Sequence, residues 1–77
     1  MKKVSDSTVT RLSLYLRILN ELNEQGLSTV SSEELARRGG TTAAQVRKDL
    51  SFFGTFGKRG LGYAVPDLLE RLRAILG

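Results

Sequence analysis

Apolar residues recur at Val9, Leu12, Leu14, Tyr15, Leu16, Ile18, Leu19 and Leu22, a spacing that predicts a helix. At 100° per residue they sweep an arc of about 220°, against ~100° for an ordinary surface helix. Thr10, Ser13, Arg17, Asn20, Glu21 and Glu24 fill the remainder. Residues 1–4 read as a loose tail. Ser5 or Ser7 can act as N-cap, and Gly26 stands where a C′ glycine stops a helix. The excess width predicts that Leu14, Ile18 and Leu22 face a second subunit or a further domain. A helix buried on more than one side by its own chain is the other reading.

A second start signal follows. Ser31 and Glu34 have capping-box spacing, with Val30 and Leu35 placed as a hydrophobic staple. This predicts a short helix over 32–38, ended by Gly39. Arg37 and Arg38 fall in its last turn, where cations complement the carbonyl end; phosphate contact is their other reading. After Gly39-Gly40-Thr41, Thr42 and Gln45 repeat the capping-box spacing at the head of a third helix. Two short helices across a glycine-containing turn form a helix-turn-helix candidate.

The third helix has two distinct faces. Ala43, Val46, Leu50 and Phe53 make a narrow core stripe. Ala44, Arg47, Lys48 and Ser51 lie opposite, within about 100° of one another, with Gln45 at one edge. Small residues allow close approach to base edges, and Arg and Gln can bond guanine and adenine through paired contacts. Asp49 lies to the side, one turn from Gln45, and is expected to orient a neighbour or pair with a scaffold cation. Glycines at 54, 57, 60 and 62 then exclude further helix. A β-hairpin fits: a strand near Thr55-Phe56, a tip at Gly57-Lys58-Arg59-Gly60, and a return strand from Leu61 to Val65. Its two tip cations suit phosphate contact or minor-groove insertion. Pro66 opens a last helix whose Leu68, Leu69, Leu72, Ile75 and Leu76 share one face.

Charge sharpens this picture. The 77 residues carry 12 basic and 8 acidic side chains, a net +4. The window from Arg37 to Arg59 holds six basic residues and only Asp49 as an acid. That region is +5, and the rest of the chain sums to −1. Such a patch fits a polyanion partner or a solvated basic face. The chain has neither cysteine nor histidine, which removes disulfides, the usual zinc ligands and the commonest catalytic side chains. No enzyme activity is expected. Missing cysteine fits a reducing, cytoplasmic setting. There is no apolar run of about 18 residues to span a bilayer, and no apolar stretch behind Met1-Lys2-Lys3 to make a signal peptide.

Other glycine motifs fail. Phe52 stands where a P-loop needs its first glycine, and Val65 where a dinucleotide fingerprint needs its third. GKRG matches the GxxG loop of KH domains, but it joins expected strands rather than helices. The reading is mainly α with a small β-hairpin wing, a winged helix or winged helix-turn-helix occupying residues 1–77. Its leading function is sequence-specific binding of double-stranded DNA. The alternative is a protein-interaction module working through the first helix.

The segments TVTRLSLYLRIL, VSSEEL, QVRKDLSFFG and KRGLGYAV, in that order and spacing, resemble the N-terminal domain of the Rex family of redox-sensing transcriptional repressors. The resemblance runs from Ser7 to Leu76. It implies a homodimer that binds a palindromic operator, and a C-terminal Rossmann domain, outside these residues, that binds NAD(H) and releases DNA when NADH is bound. No cofactor or metal is expected within this chain. The resemblance carries the reading helix onto Gln45, Arg47, Lys48 and Ser51, and the wing onto Lys58, Arg59 and Gly60. This sequence departs from the pattern at Gly40-Thr41, where an apolar turn residue is usual, and at Ala44, where bulkier side chains occur.

Overall fold

The computed structural model describes residues 6–51 and 62–76. Four helices and two short strands follow in the order α1 (Asp6–Glu24), β1 (Thr29–Val30), α2 (Ser32–Gly39), α3 (Ala43–Ser51), β2 (Tyr63–Ala64) and α4 (Val65–Leu76). The predicted hairpin strand at Thr55-Phe56, the tip and Phe53 lie outside the described residues. No described helix is long and apolar enough to cross a membrane.

The chain ends its helices much as the spacing predicts, with two corrections. Gly26 has φ +81°, and Leu27 N–H donates to the Leu22 carbonyl at 3.0 Å, closing α1. Ser7 lies inside α1 rather than capping it. On α2 the Ser31 hydroxyl accepts the Glu34 N–H at 3.0 Å, as expected. Gly39, however, remains helical. Gly40 takes the left-handed conformation at φ +70°, and Thr41 N–H reaches back to the Ala36 carbonyl at 3.0 Å. The helix runs one residue further, and Gly39 faces Leu14, Tyr15 and Ile18 of α1 at a distance where a Cβ would make ordinary van der Waals contact.

One core holds all four helices. Leu12, Tyr15, Leu19 and Leu22 of α1, Leu35 of α2, Val46 and Leu50 of α3, and Val65, Leu68 and Leu72 of α4 are buried in a single cluster. Helix α1 packs against α4, α2 and α3. Contact with three helices of its own chain accounts for much of its wide apolar arc, although Val9 at one edge is 40% exposed. Ile18 and Leu22 are buried core residues, and Leu14 is half-buried against the same cluster. The docking role expected of Ile18 and Leu22 is therefore corrected: they face inward. Along α4 a smaller correction applies. Leu68, Leu69 and Leu72 are buried and Leu76 is partly so, but Ile75 is 43% exposed.

Strands β1 and β2 pair antiparallel, with Thr29 opposite Ala64 and Val30 opposite Tyr63. The Val65 N–H extends the ladder to the Ser28 carbonyl at 2.9 Å, which sets the start of α4. Gly62 enters this pairing at φ +77°, and a Cβ built there would lie 2.6 Å from the Val30 carbonyl oxygen. Any other residue would clash with the backbone of β1. The return strand thus docks on the segment that leads into α2, a partner the sequence reading did not assign.

Candidate nucleic-acid interface

The Thr42 hydroxyl accepts the Gln45 N–H at 3.1 Å and sets the start of α3. From there Val46, Asp49 and Leu50 turn into the core, while Ala44, Arg47, Lys48 and Ser51 are all exposed. The predicted outward surface exists. Lys58, Arg59 and Gly60 of the expected wing lie outside the described residues, so only the helical half of the surface can be described.

Two of the outward side chains, Ser51 and Arg47, are restrained by hydrogen bonds. The Ser51 hydroxyl turns back to the Lys48 carbonyl at 2.7 Å. Lys48 has no ion-pair partner among the described residues. Arg47 is steadied from α2: its Nη1 donates to the Ser32 hydroxyl at 3.0 Å and lies 3.9 Å from a Glu33 carboxylate oxygen. The Arg47 side chain is still 56% exposed, and only its Nη1 is engaged in these contacts. Gln45 is half-buried, with one N–H of its amide engaged by Asp49.

The inner side of α3 is fixed by a polar cluster. Asp49 is fully buried at 0% exposure. Its Oδ2 accepts Arg11 Nε at 2.7 Å and the Tyr15 hydroxyl at 2.7 Å. Its Oδ1 accepts Arg11 Nη2 at 2.9 Å and Gln45 Nε2 at 2.9 Å. Burial alone would push this carboxyl up, but the bonds from Arg11, Tyr15 and Gln45 outweigh it and hold the group below its ordinary value. The Tyr15 phenol moves the other way, driven up by burial and by its bond to the carboxylate. Asp49 therefore pairs with a scaffold cation, as its position predicts. Sequence spacing does not single out Arg11, Tyr15, Ser32 and Glu33 as polar partners. Arg11 and Tyr15 are one turn apart on α1, and a lone acid on a cationic helix is the signal that could have found them.

Arg37 and Arg38 have a different fate. Glu34 receives Arg37 Nη2 at 2.6 Å and Arg38 Nε at 2.6 Å. Both cations are thereby tied to one carboxylate on α2, whose titration is held down first by the Arg37 hydrogen bond and then by the Arg38 one. The reciprocal arm of each capping box is thus engaged elsewhere: Glu34 with these arginines, Gln45 with Asp49.

Comparison with known proteins gives this geometry a family. The profile described as "Putative DNA-binding protein N-terminus" matches residues 3–51. The redox-sensing transcriptional repressor Rex of Thermosipho africanus is 51% identical over 76 residues, which are 99% of this chain and 37% of that protein. The chain belongs to the Rex family. Rex of Thermus thermophilus is 55% identical over 75 residues, 97% of this chain and 36% of its own length. The chain thus spans a little over a third of these Rex proteins. Among solved structures, RSP in complex with beta-NAD+ and operator DNA superposes with a TM-score of 0.91 at 43% identity, covering 100% of this chain and 36% of the other. RSP in complex with beta-NADH gives 0.86 at 39% identity, covering 100% and 34%. The fold is the mainly α winged helix of Rex DNA-binding domains.

Proposed function

We propose that this chain is the operator-reading domain of a Rex-type transcriptional repressor, binding double-stranded DNA through the outward face of α3. The observation that carries this reading is the division of α3 into a locked inner side and an exposed face of Ala44, Arg47, Lys48 and Ser51. A helix held this firmly can enter a major groove without ordering itself first. Arg47, steadied by Ser32, is suited to a guanine edge, and Lys48 to a phosphate. Lys58, Arg59 and Gly60 join this surface on sequence grounds as the wing.

The whole protein would act in the cytoplasm as a homodimer on a palindromic operator. A further Rossmann domain would bind NAD(H) and couple DNA release to NADH. These properties rest on the relatives, which are repressors and whose solved examples hold beta-NAD+ with operator DNA, or beta-NADH. Burial of Ile18 and Leu22 leaves the protein-interaction module through α1 without its expected surface.

Titration of a labelled duplex at several salt concentrations tests the reading. Arg47→Ala should cost about 1–3 kcal/mol and relax preference at one base pair. Lys48→Ala should weaken all duplexes alike and lower the salt slope by about one. If neither substitution changed duplex affinity, this face would not be the DNA-binding surface.

A further inference from the structure

The carboxylate beneath α3 governs how one neighbouring side chain is aimed. Two carboxylate oxygens offer about four acceptor positions. At Asp49 Arg11 fills two of them, and the Tyr15 hydroxyl and the Gln45 amide fill one each. An ionised carboxylate only accepts, so the end of Gln45 that meets it must be the amide nitrogen. Turning the amide over would set its carbonyl oxygen against the Asp49 oxygen. Gln45 therefore has one N–H engaged, and its carbonyl oxygen and second N–H remain on a planar group anchored by its inner edge. An acceptor beside a donor is the pattern that meets the adenine N6 amino group and N7 in the major groove. Anchoring removes rotamer and flip freedom that an untethered glutamine would lose on binding.

We propose that Asp49, held by Arg11, is a positioning residue that presents Gln45 to an adenine in the major groove. The inference rests on the DNA-binding reading above. It adds a base and a residue that acts from inside the domain without touching DNA.

Selecting duplexes from a random pool with the 77-residue chain defines a preferred site, and each A·T pair in it is then replaced by G·C or by 7-deazaadenine, which lacks N7. At one position wild type should discriminate by about tenfold or more. Gln45→Ala should lose that preference, and Asp49→Asn should lose most of it while still binding DNA. The double variant should discriminate no worse than Gln45→Ala alone. Tyr15→Phe, which removes a bond to the other Asp49 oxygen, should keep the preference. Asp49→Asn weakening all duplexes equally with the adenine preference intact would overturn the proposal. So would a Gln45→Ala chain with unchanged preference. Failure of wild type to bind any duplex would instead defeat the underlying DNA-binding reading. Should Asp49→Asn not fold, NMR of the wild-type side-chain amides decides the matter: one Gln45 amide proton protected from exchange supports the anchor, and a freely averaged pair refutes it.

Discussion

Two arginine–carboxylate clusters in this molecule share their chemistry and differ in almost everything else. Arg11 and Asp49 join α1 to α3, with the Arg11 side chain 28% exposed and the Asp49 side chain 1%. Glu34 joins Arg37 and Arg38 within α2, and the Arg37 side chain is 72% exposed. The buried cluster is surrounded by partners that satisfy every acceptor, so removing one member strands a charge in the core. The surface cluster competes with water and salt and contributes little to the folded state. Its effect is on availability. Arg37 and Arg38 count toward the basic patch in the sequence, yet Glu34 already neutralises part of it. Arg47 and Lys48 on α3 have no comparable neutralisation.

The largest expected effect comes from Arg11→Ala. It leaves Asp49 with only Tyr15 and Gln45, and should cost about 2–4 kcal/mol in urea unfolding, discounted from the ~3–5 of a fully buried pair for the partial exposure of Arg11. If the unfolding midpoint hardly moved, the distinction between the two clusters would collapse.

Acid should act on the buried cluster in the same direction. Asp49 is held below its ordinary value in the folded state. Its contribution is therefore complete above the unfolded carboxylate range near 4, and is lost as pH falls through the folded value. Tyr15 is raised, so its contribution is present below the unfolded phenol range near 10 and declines as pH rises beyond that. Urea midpoints from pH 7 down to 2 should fall more steeply in wild type than in Asp49→Asn.

Ser31→Ala tests the scaffold under the surface cluster. Loss of the bond to the Glu34 N–H should cost about 1 kcal/mol. Glu34→Gln should be the mildest change: at 1 M salt its unfolding should match wild type, while low-salt binding to an unrelated duplex should strengthen slightly and its salt slope steepen by at most about one. A large loss of stability there would show that exposure does not separate the clusters.

Local signals made much of this structure readable beforehand. Ser31, Thr42 and Gly26 mark helix ends through bonds spanning only a few residues, and the outward quartet of α3 follows from helical spacing alone. Features that local spacing does not carry depend on how distant segments meet. The bond from Arg11 to Asp49 spans 38 residues, and no pattern within α1 reveals which helix its polar edge will face. Strand β1 has two residues, too few for an alternation to show. The pattern of α1 alone points Ile18 and Leu22 at an outside partner because a single helix cannot disclose that three others of its own chain cover it.

The tie from Arg11 to Asp49 also has a mechanical meaning. One guanidinium grips both oxygens of a buried carboxylate rooted in α3, so tilting or sliding α1 against α3 would stretch two charge-assisted bonds at once. The grip sits on the inner side of the helix whose outer side carries Ala44, Arg47, Lys48 and Ser51.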